Sequence, residues 1–360
     1  MKRVIKTSLY GKEEMFRIIA LGEVTRLPIL FVGVPGVAKT AVLMDYAEAM
    51  YNGDKNMIKL NTFILELDEG TKNSEIKGRP DMKSLLEDKR YIVDAPIADA
   101  EYVLINEVDK GSSGVRNTLL SVMREKALFL GHEVRDCKWK LFAGSCNEIN
   151  KDNADAPFWD RFLIKFKVER VSVETMFDSW NGSPVEFELN IPNYEEVQKC
   201  ALNMSKMHKF VAYIHADVSD RTIYQLPNLV KSIKLIWEIG DAQAIAKACE
   251  LVAPVHVQGV IGVIEDKRVS AIKTKIGQIS GMSDMDQLAL FMKDMDKSIK
   301  SIMNDKSCAE DIDEIKQMLK AEVMKNKAAR ILMGIEKIEE SAPQKPKNPT
   351  IASNAESNPF

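Results

Sequence analysis

Apolar residues follow two rhythms along this chain. In the first half they come as short runs: "PILFV" (28–32), "FILEL" (63–67), "YVLIN" (102–106), "WKLFAG" (139–144) and "FLIKFKV" (162–168). Each has the length of a strand buried on both faces, and helical patterns lie between them. The alternation predicts a parallel sheet covered by helices over residues 1–180. From about 190 to 265 the spacing is helical. In "SDRTIYQLPNLVKSIKLIW", Ile223, Leu226, Leu229, Val230, Ile233 and Trp237 recur at three- and four-residue steps. Ser219 is the expected N-cap, and Pro227 is expected to kink that helix or sit in its first turn. Residues 284–339 again read as long amphipathic helices, carried by Leu288, Phe291, Met292, Met295, Ile299 and Ile302, then by Ile312, Ile315, Leu319, Leu332 and Ile335. The last stretch, "SAPQKPKNPTIASNAESNPF", is polar and proline-rich and predicts a disordered tail.

Composition narrows the class. The 360 residues exceed the usual single-domain range of roughly 100–200, which predicts two or three domains. A net charge of -3 gives no global attraction to nucleic acid or acidic membranes. Cys137, Cys146, Cys200, Cys249 and Cys308 are scattered and free of C-x-x-C spacing. They read as reduced thiols of a cytoplasmic protein. The N-terminus "MKRVIKTSLYGKEEMF" has no apolar core of a signal peptide. The apolar stretch 251–264 is too short to span a bilayer and carries His256 and Gln258.

One segment carries chemistry. "ILFVGVPGVAKT" (29–40) is an apolar run, a glycine loop ending in Lys39-Thr40, and the start of a helical pattern. Strand, loop and helix in that order are the context of a phosphate-cradling loop. The free N–H groups at the helix start would face phosphates, with Lys39 reaching the β- and γ-phosphates and Thr40 on Mg²⁺. Ala38 stands where such loops carry their second glycine, and is tolerable there if its φ stays negative. "YVLINEVDKG" adds an apolar strand ending in Asn106-Glu107. Glu107 suits a water-activating role, whereas Asn106 is neutral where magnesium's shell calls for an acid.

Taken together, these segments resemble the MoxR family of AAA+ ATPases. "GVPGVAKT" is similar to that family's G-x-P-G-x-A-K-[ST], in which alanine before the lysine is usual. "NSEIKG" (73–78) and the block "APIADAEYVLINEVDKGSSGVRNTLLSVMREKALFLGHEV" resemble its next conserved segments, the latter matching "GPI…LLADEINRA…ALLEAMEE". The departures are Asn106 for Asp, and Asp109-Lys110 for Asn-Arg. "GSCNEI" resembles the strand ending in a polar sensor, Asn147. "FWDRFLIKFKV" resembles L-D-R-F, whose arginine, here Arg161, reaches a neighbouring subunit's nucleotide. "VSDRTIYQLPNLVKSIKLI" resembles the lid helix with a sensor-2 arginine, here Arg221.

The resemblance implies an α/β fold: a P-loop NTPase αβα sandwich (AAA+ core) over 1–185, an all-helical lid over 186–265, a helical region over 266–340 and a tail over 341–360. It implies ATP and Mg²⁺, held by Gly33, Val34, Pro35, Gly36, Val37, Ala38, Lys39 and Thr40, with Thr40 and Asn106 at the metal. Catalysis would fall to Glu107, Asn147, Arg161 and Arg221. The expected assembly is a homo-oligomeric ring, a hexamer, that remodels or assembles a protein partner, with a von Willebrand A domain protein as the partner often found beside such ATPases. Insertions at 68–96 and in a hairpin over 127–137, turning at Gly131-His132, would surround a central pore. Two other readings stay open. One is an ATP-binding scaffold that barely hydrolyses, favoured by Asn106; the other is a motor on nucleic acid, disfavoured by the near-neutral charge. Asp109, just beyond the Asn106 strand, is the first alternative carboxylate for the metal.

Overall fold

A computed structural model describes residues 2–80, 93–130, 133–149, 156–303 and 309–333. The chain divides into two compact units, residues 1–265 and 266–360. The centre of the first is a five-stranded parallel sheet of Ile164–Lys167, Ile29–Val32, Leu141–Cys146, Tyr102–Asn106 and Thr62–Glu66, in that spatial order. The five expected runs all became strands, three with later starts than the apolar pattern suggested. The strand begins at Leu141 rather than Trp139, whose indole is buried and donates to the Val122 carbonyl at 3.0 Å. Leu141–Cys146 is buried at every position, which is why no alternation marks it.

Because the strands are parallel, the sheet has two unlike edges. The amino-terminal edge holds Ile29, Ala143 and Ile164 in register; the carboxyl-terminal edge holds Val32, Cys146 and Lys167. The helix Glu13–Thr25 buries Met15, Phe16, Ile18, Ile19 and Leu21 on one face of the sheet, beside the helix Lys39–Met50. The helix Ser113–Arg124 buries Val115, Leu119 and Val122 on the other. These two layers close the αβα sandwich.

One pairing had no sequence signal. Lys2–Thr7 forms an antiparallel ribbon with Val185–Asn190, Ile5 opposite Phe187. The division expected at residue 185 therefore falls at the start of a strand tied to the N-terminus. The helices Tyr194–Lys199, Met204–Ile214, Asp220–Trp237, Asp241–Val252 and Val257–Ile264 follow. Ser219 occupies the N-cap as expected, and Pro227 lies inside the helix rather than in its first turn. That helix packs along Glu13–Thr25, and Trp237 Nε1 donates to Glu14 Oε2 at 3.0 Å.

The second unit is helical: Lys267–Gln278, Met285–Met303, Ala309–Lys325 and Lys327–Leu332. Leu288, Met295, Ile302 and Ile315 are buried together as the periodicity predicts. Ile335 and the tail 341–360 lie outside the described residues, as do Cys308 and the Gly131-His132 turn. The hairpin arms around that turn are present, Ala127–Phe129 against Val134–Asp136. In the 68–96 insertion Asn73–Lys77 is helical, the helix Pro96–Asp99 begins at its last residue, and residues 81–92 lie outside the described set. Among the described residues no helix is long and apolar enough to cross a membrane.

Candidate nucleotide site

The loop Gly33–Thr40 leaves its strand at the carboxyl edge and enters the helix Lys39–Met50 directly. Gly33 is obligatory by packing, since a Cβ there would lie 2.5 Å from the Val168 carbonyl oxygen. Gly36 has φ +82°, which only glycine adopts without strain. Ala38 also lies in the left-handed region, at φ 68°, so the condition of a negative φ is not met. At that φ the alanine carries backbone strain that a glycine would not. The helix has no side-chain N-cap and no acid in its first turn. Its first amides are thus left for an anion.

Lys39 lies across this opening. Its Nζ donates to the Gly33 carbonyl at 2.7 Å and the Cys146 carbonyl at 3.2 Å. Burial pulls the pKa of its ammonium down, opposed by the nearby Cys146 thiol and the Asp109 and Glu107 carboxylates. Burial also pushes the Cys146 thiol up to about 12, so it stays a neutral wall of the site.

Asn106 is bound at both ends of its amide. Nδ2 donates to Thr40 Oγ1 at 3.2 Å, and Oδ1 accepts from Ser145 Oγ at 2.9 Å. It thereby joins the loop's hydroxyl to the middle strand. Glu107 has φ 53°, again left-handed, and pairs with Lys110. Asn147 follows Cys146, at the carboxyl edge between the Lys39 and Asn106 strands. The structure therefore brings Lys39, Thr40, Asn106, Glu107 and Asn147 to one edge.

Arg161 and Arg221 lie elsewhere. Arg161 precedes the strand Ile164–Lys167, at the amino-terminal edge. Its Nη1 is 3.5 Å from Asp160 Oδ2, and Arg221 Nη1 is 3.6 Å from the same oxygen. Arg161 Nε and Arg221 Nη1 are buried without a hydrogen-bond partner. Burial first, then the neighbouring Arg221 charge, lowers the pKa of Arg161. The lid helix explains the meeting: Trp237 is held at Glu14, toward the carboxyl edge, and Arg221 lies about 24 Å back along the helix.

A cavity of about 620 Å³ adjoins the loop, lined by Pro35 to Ala38 together with Leu9, Tyr10, Val171 and Met176. Its size and mostly apolar walls suit a nucleoside. None of these four side chains was a sequence candidate, because they come from segments far apart in the chain with no motif of their own.

A glycine loop that enters a helix at the carboxyl edge of a parallel sheet, with an acid-bearing strand two places away, defines a P-loop NTPase of the AAA+ type followed by helices. The chain belongs to the MoxR family: residues 1–199 match the family described as the MoxR domain in the MoxR-vWA-beta-propeller ternary systems. It is 25% identical over 252 residues to Structural protein ORF618 of Acidianus two-tailed virus, covering 65% of this chain and 40% of that protein. Two uncharacterized proteins of Methanocaldococcus jannaschii are each 28% identical over 138 residues. Those matches cover 38% of this chain and 34% and 35% of the archaeal proteins, so the chain spans well under half of the curated relatives it matches. A crystal structure of a candidate ATPase from Cytophaga hutchinsonii covers 79% of this chain and 90% of its own at 16% identity, with a TM-score of 0.49. A full-length MCM homolog from Methanopyrus kandleri covers 71% of this chain and 57% of its own at 13% identity, with a TM-score of 0.42.

Proposed function

We propose that the chain is an ATPase whose catalytic site is completed by a second copy, and that the assembly uses ATP to remodel or assemble a protein partner. One observation carries the reading: Lys39 and the Arg161–Arg221 pair stand at opposite edges of one parallel sheet. The four residues of Ile164–Lys167 alone separate those edges by about 13 Å. On this reading neither arginine serves the nucleotide of its own loop. A neighbour stacked head to tail would bring its arginine edge to this chain's loop edge. Repeated with a rotation that closes, such a contact forms a ring, and the family resemblance suggests six copies.

In that assembly the loop amides and Lys39 would hold the phosphates, with Thr40 on Mg²⁺. Glu107, released from Lys110, would orient the attacking water. Asn147 would touch the γ-phosphate from the middle strand. The neighbour's Arg161 and Arg221 would offset charge developing during transfer, an effect worth 10³–10⁵ in rate in well-studied phosphoryl-transfer systems. The family's place in systems with vWA and β-propeller proteins supports a vWA-domain partner. The scaffold reading keeps one supporting observation, the neutral and fully engaged Asn106. The word "structural" in the viral relative's name agrees with it.

The test mixes two inactive variants. Arg161→Ala keeps its own loop and Glu107, and Glu107→Gln keeps its arginines. Mixed copies should regain ATP turnover that neither parent shows. With co-assembly verified by labelled subunits, no recovery at any ratio would sink the shared site.

A further inference from the structure

The family pattern D-E-x-N stands here as Asn106-Glu107-Val108-Asp109, with carboxylate and amide exchanged three residues apart. The exchange has a structural counterpart. Both ends of the Asn106 amide are engaged, by Thr40 and by Ser145. The Glu107 carboxylate pairs with Lys110. Asp109 Oδ1, in contrast, is buried and has no hydrogen-bond partner.

The backbone explains how Asp109 returns to the site. The left-handed Glu107 turns the chain back after the strand. Val108 N donates to the Ser145 carbonyl at 3.0 Å and Lys110 N to the Glu107 carbonyl at 2.9 Å, which hold the turn. Arg116 Nη1 donates to the Asp109 carbonyl at 3.3 Å. The bond from Val108 to Ser145 keeps Asp109 at the edge that carries Cys146, where its charge bears on Lys39 and Cys146. A buried carboxylate oxygen with no donor is costly by itself. Beside a phosphate loop, a cation or its bound water would satisfy it.

We infer that Asp109 supplies the carboxylate of the magnesium shell, in the role an acid at position 106 would otherwise fill. This rests on the nucleotide-site reading. Mg²⁺ is typically held by one or two carboxylates plus phosphates and keeps several waters. Among the described residues no group of three or more His, Cys, Asp or Glu is placed to hold a metal alone. The ion would therefore bind together with the nucleotide, between its phosphates, Thr40 and Asp109. Asn106 then acts as a positioning residue for the Thr40 hydroxyl.

The experiment uses the full chain, the non-hydrolysable analogue AMP-PNP and Mn²⁺, with free and bound Mn²⁺ read by electron paramagnetic resonance. Asp109→Asn should weaken Mn²⁺ binding to the protein–AMP-PNP complex at least tenfold. Its AMP-PNP affinity in EDTA should stay within threefold of the unaltered chain. The exchange variant, Asn106→Asp with Asp109→Asn, should recover Mn²⁺ affinity to within threefold. Unchanged Mn²⁺ affinity in Asp109→Asn overturns the inference, and so does an equal loss of AMP-PNP affinity in EDTA, which would make Asp109 a partner of Lys39 alone. Should melting show that Asp109→Asn does not fold, Asp109→Ser takes its place with the same expected losses. If the unaltered chain binds no AMP-PNP, the nucleotide site and this inference fall together. If it binds the analogue and Asp109 is silent toward Mn²⁺, only the inference falls.

Discussion

Asp160 Oδ2 lies 3.5 Å from one guanidinium nitrogen of Arg161 and 3.6 Å from one of Arg221, so a single carboxylate oxygen spans the junction of sheet and lid helix. Both separations suit ion pairs and are too long for hydrogen bonds. The Asp160 and Arg221 side chains are 38% and 37% exposed, so solvent screens the contact. Its contribution to stability should be about 0–1 kcal/mol. Asp160→Ala should therefore leave chemical denaturation almost unchanged yet reduce ATP turnover at least tenfold, by misplacing both arginines. Turnover that follows stability alone would show the carboxylate to be an ordinary surface partner.

Lys39→Ala should lower ATP affinity strongly, by tenfold or more in calorimetry. The side chain is already held over the loop by the Gly33 and Cys146 carbonyls. Without it, those oxygens would confront phosphate with no cation between them. Unaltered affinity would remove the phosphate-loop reading.

Ala38→Gly should stabilise the chain. A left-handed conformation costs an L-residue about 1–2 kcal/mol, and glycine returns about 0.5–1 kcal/mol of that as lost chain entropy. A net gain of about 0.5–1 kcal/mol should appear as a higher urea midpoint at constant slope. A lower midpoint would mean that the alanine methyl makes contacts that outweigh its backbone strain.

The buried thiols predict an alkaline limit. Burial raises Cys137 and Cys249 to about 11 and Cys146 to about 12, from an ordinary 9.0. Folded pKa values above the unfolded one mean that the folded state keeps these protons longer. Their contribution is complete below pH 9 and declines as pH rises through 11 to 12. Alkylation at pH 8 should accordingly be slow at all three thiols in the native chain and fast in urea. Rapid native labelling of Cys146 would show that thiol to be exposed.

Much of the fold was legible because burial on both faces leaves an unmistakable mark. "YVLIN" became the strand Tyr102–Asn106 without a shift, as continuous apolar runs are what a covered parallel sheet requires. The ribbon of Lys2–Thr7 with Val185–Asn190 was not legible. Lys2, Arg3 and Lys6 mask the apolar signal, and pairing is decided by a partner strand near the far end of the sheet domain. Pro227 does not take the first-turn position, one of the two outcomes expected for it. Propensity argues against proline inside a helix, but the buried Leu226, Leu229, Val230 and Ile233 carry the helix through it.

The sequence by itself determined the chemistry available at the loop edge. Gly33, Gly36, Lys39 and Thr40 are local in the chain, and the strand–loop–helix order places them before any long-range contact is considered. Only the tertiary structure decided where the remaining charges go. Arg161 and Arg221 are sixty positions apart, and their shared Asp160 depends on the lid helix running back toward the sheet's amino-terminal edge. Asp109 is three residues past Asn106, yet its place at the loop edge depends on the left-handed turn at Glu107 and on the bond from Val108 to Ser145. Periodicity reports which face of an element is buried. It does not report the direction taken after the element ends, and at both places a backbone turn or a helix axis sets that direction.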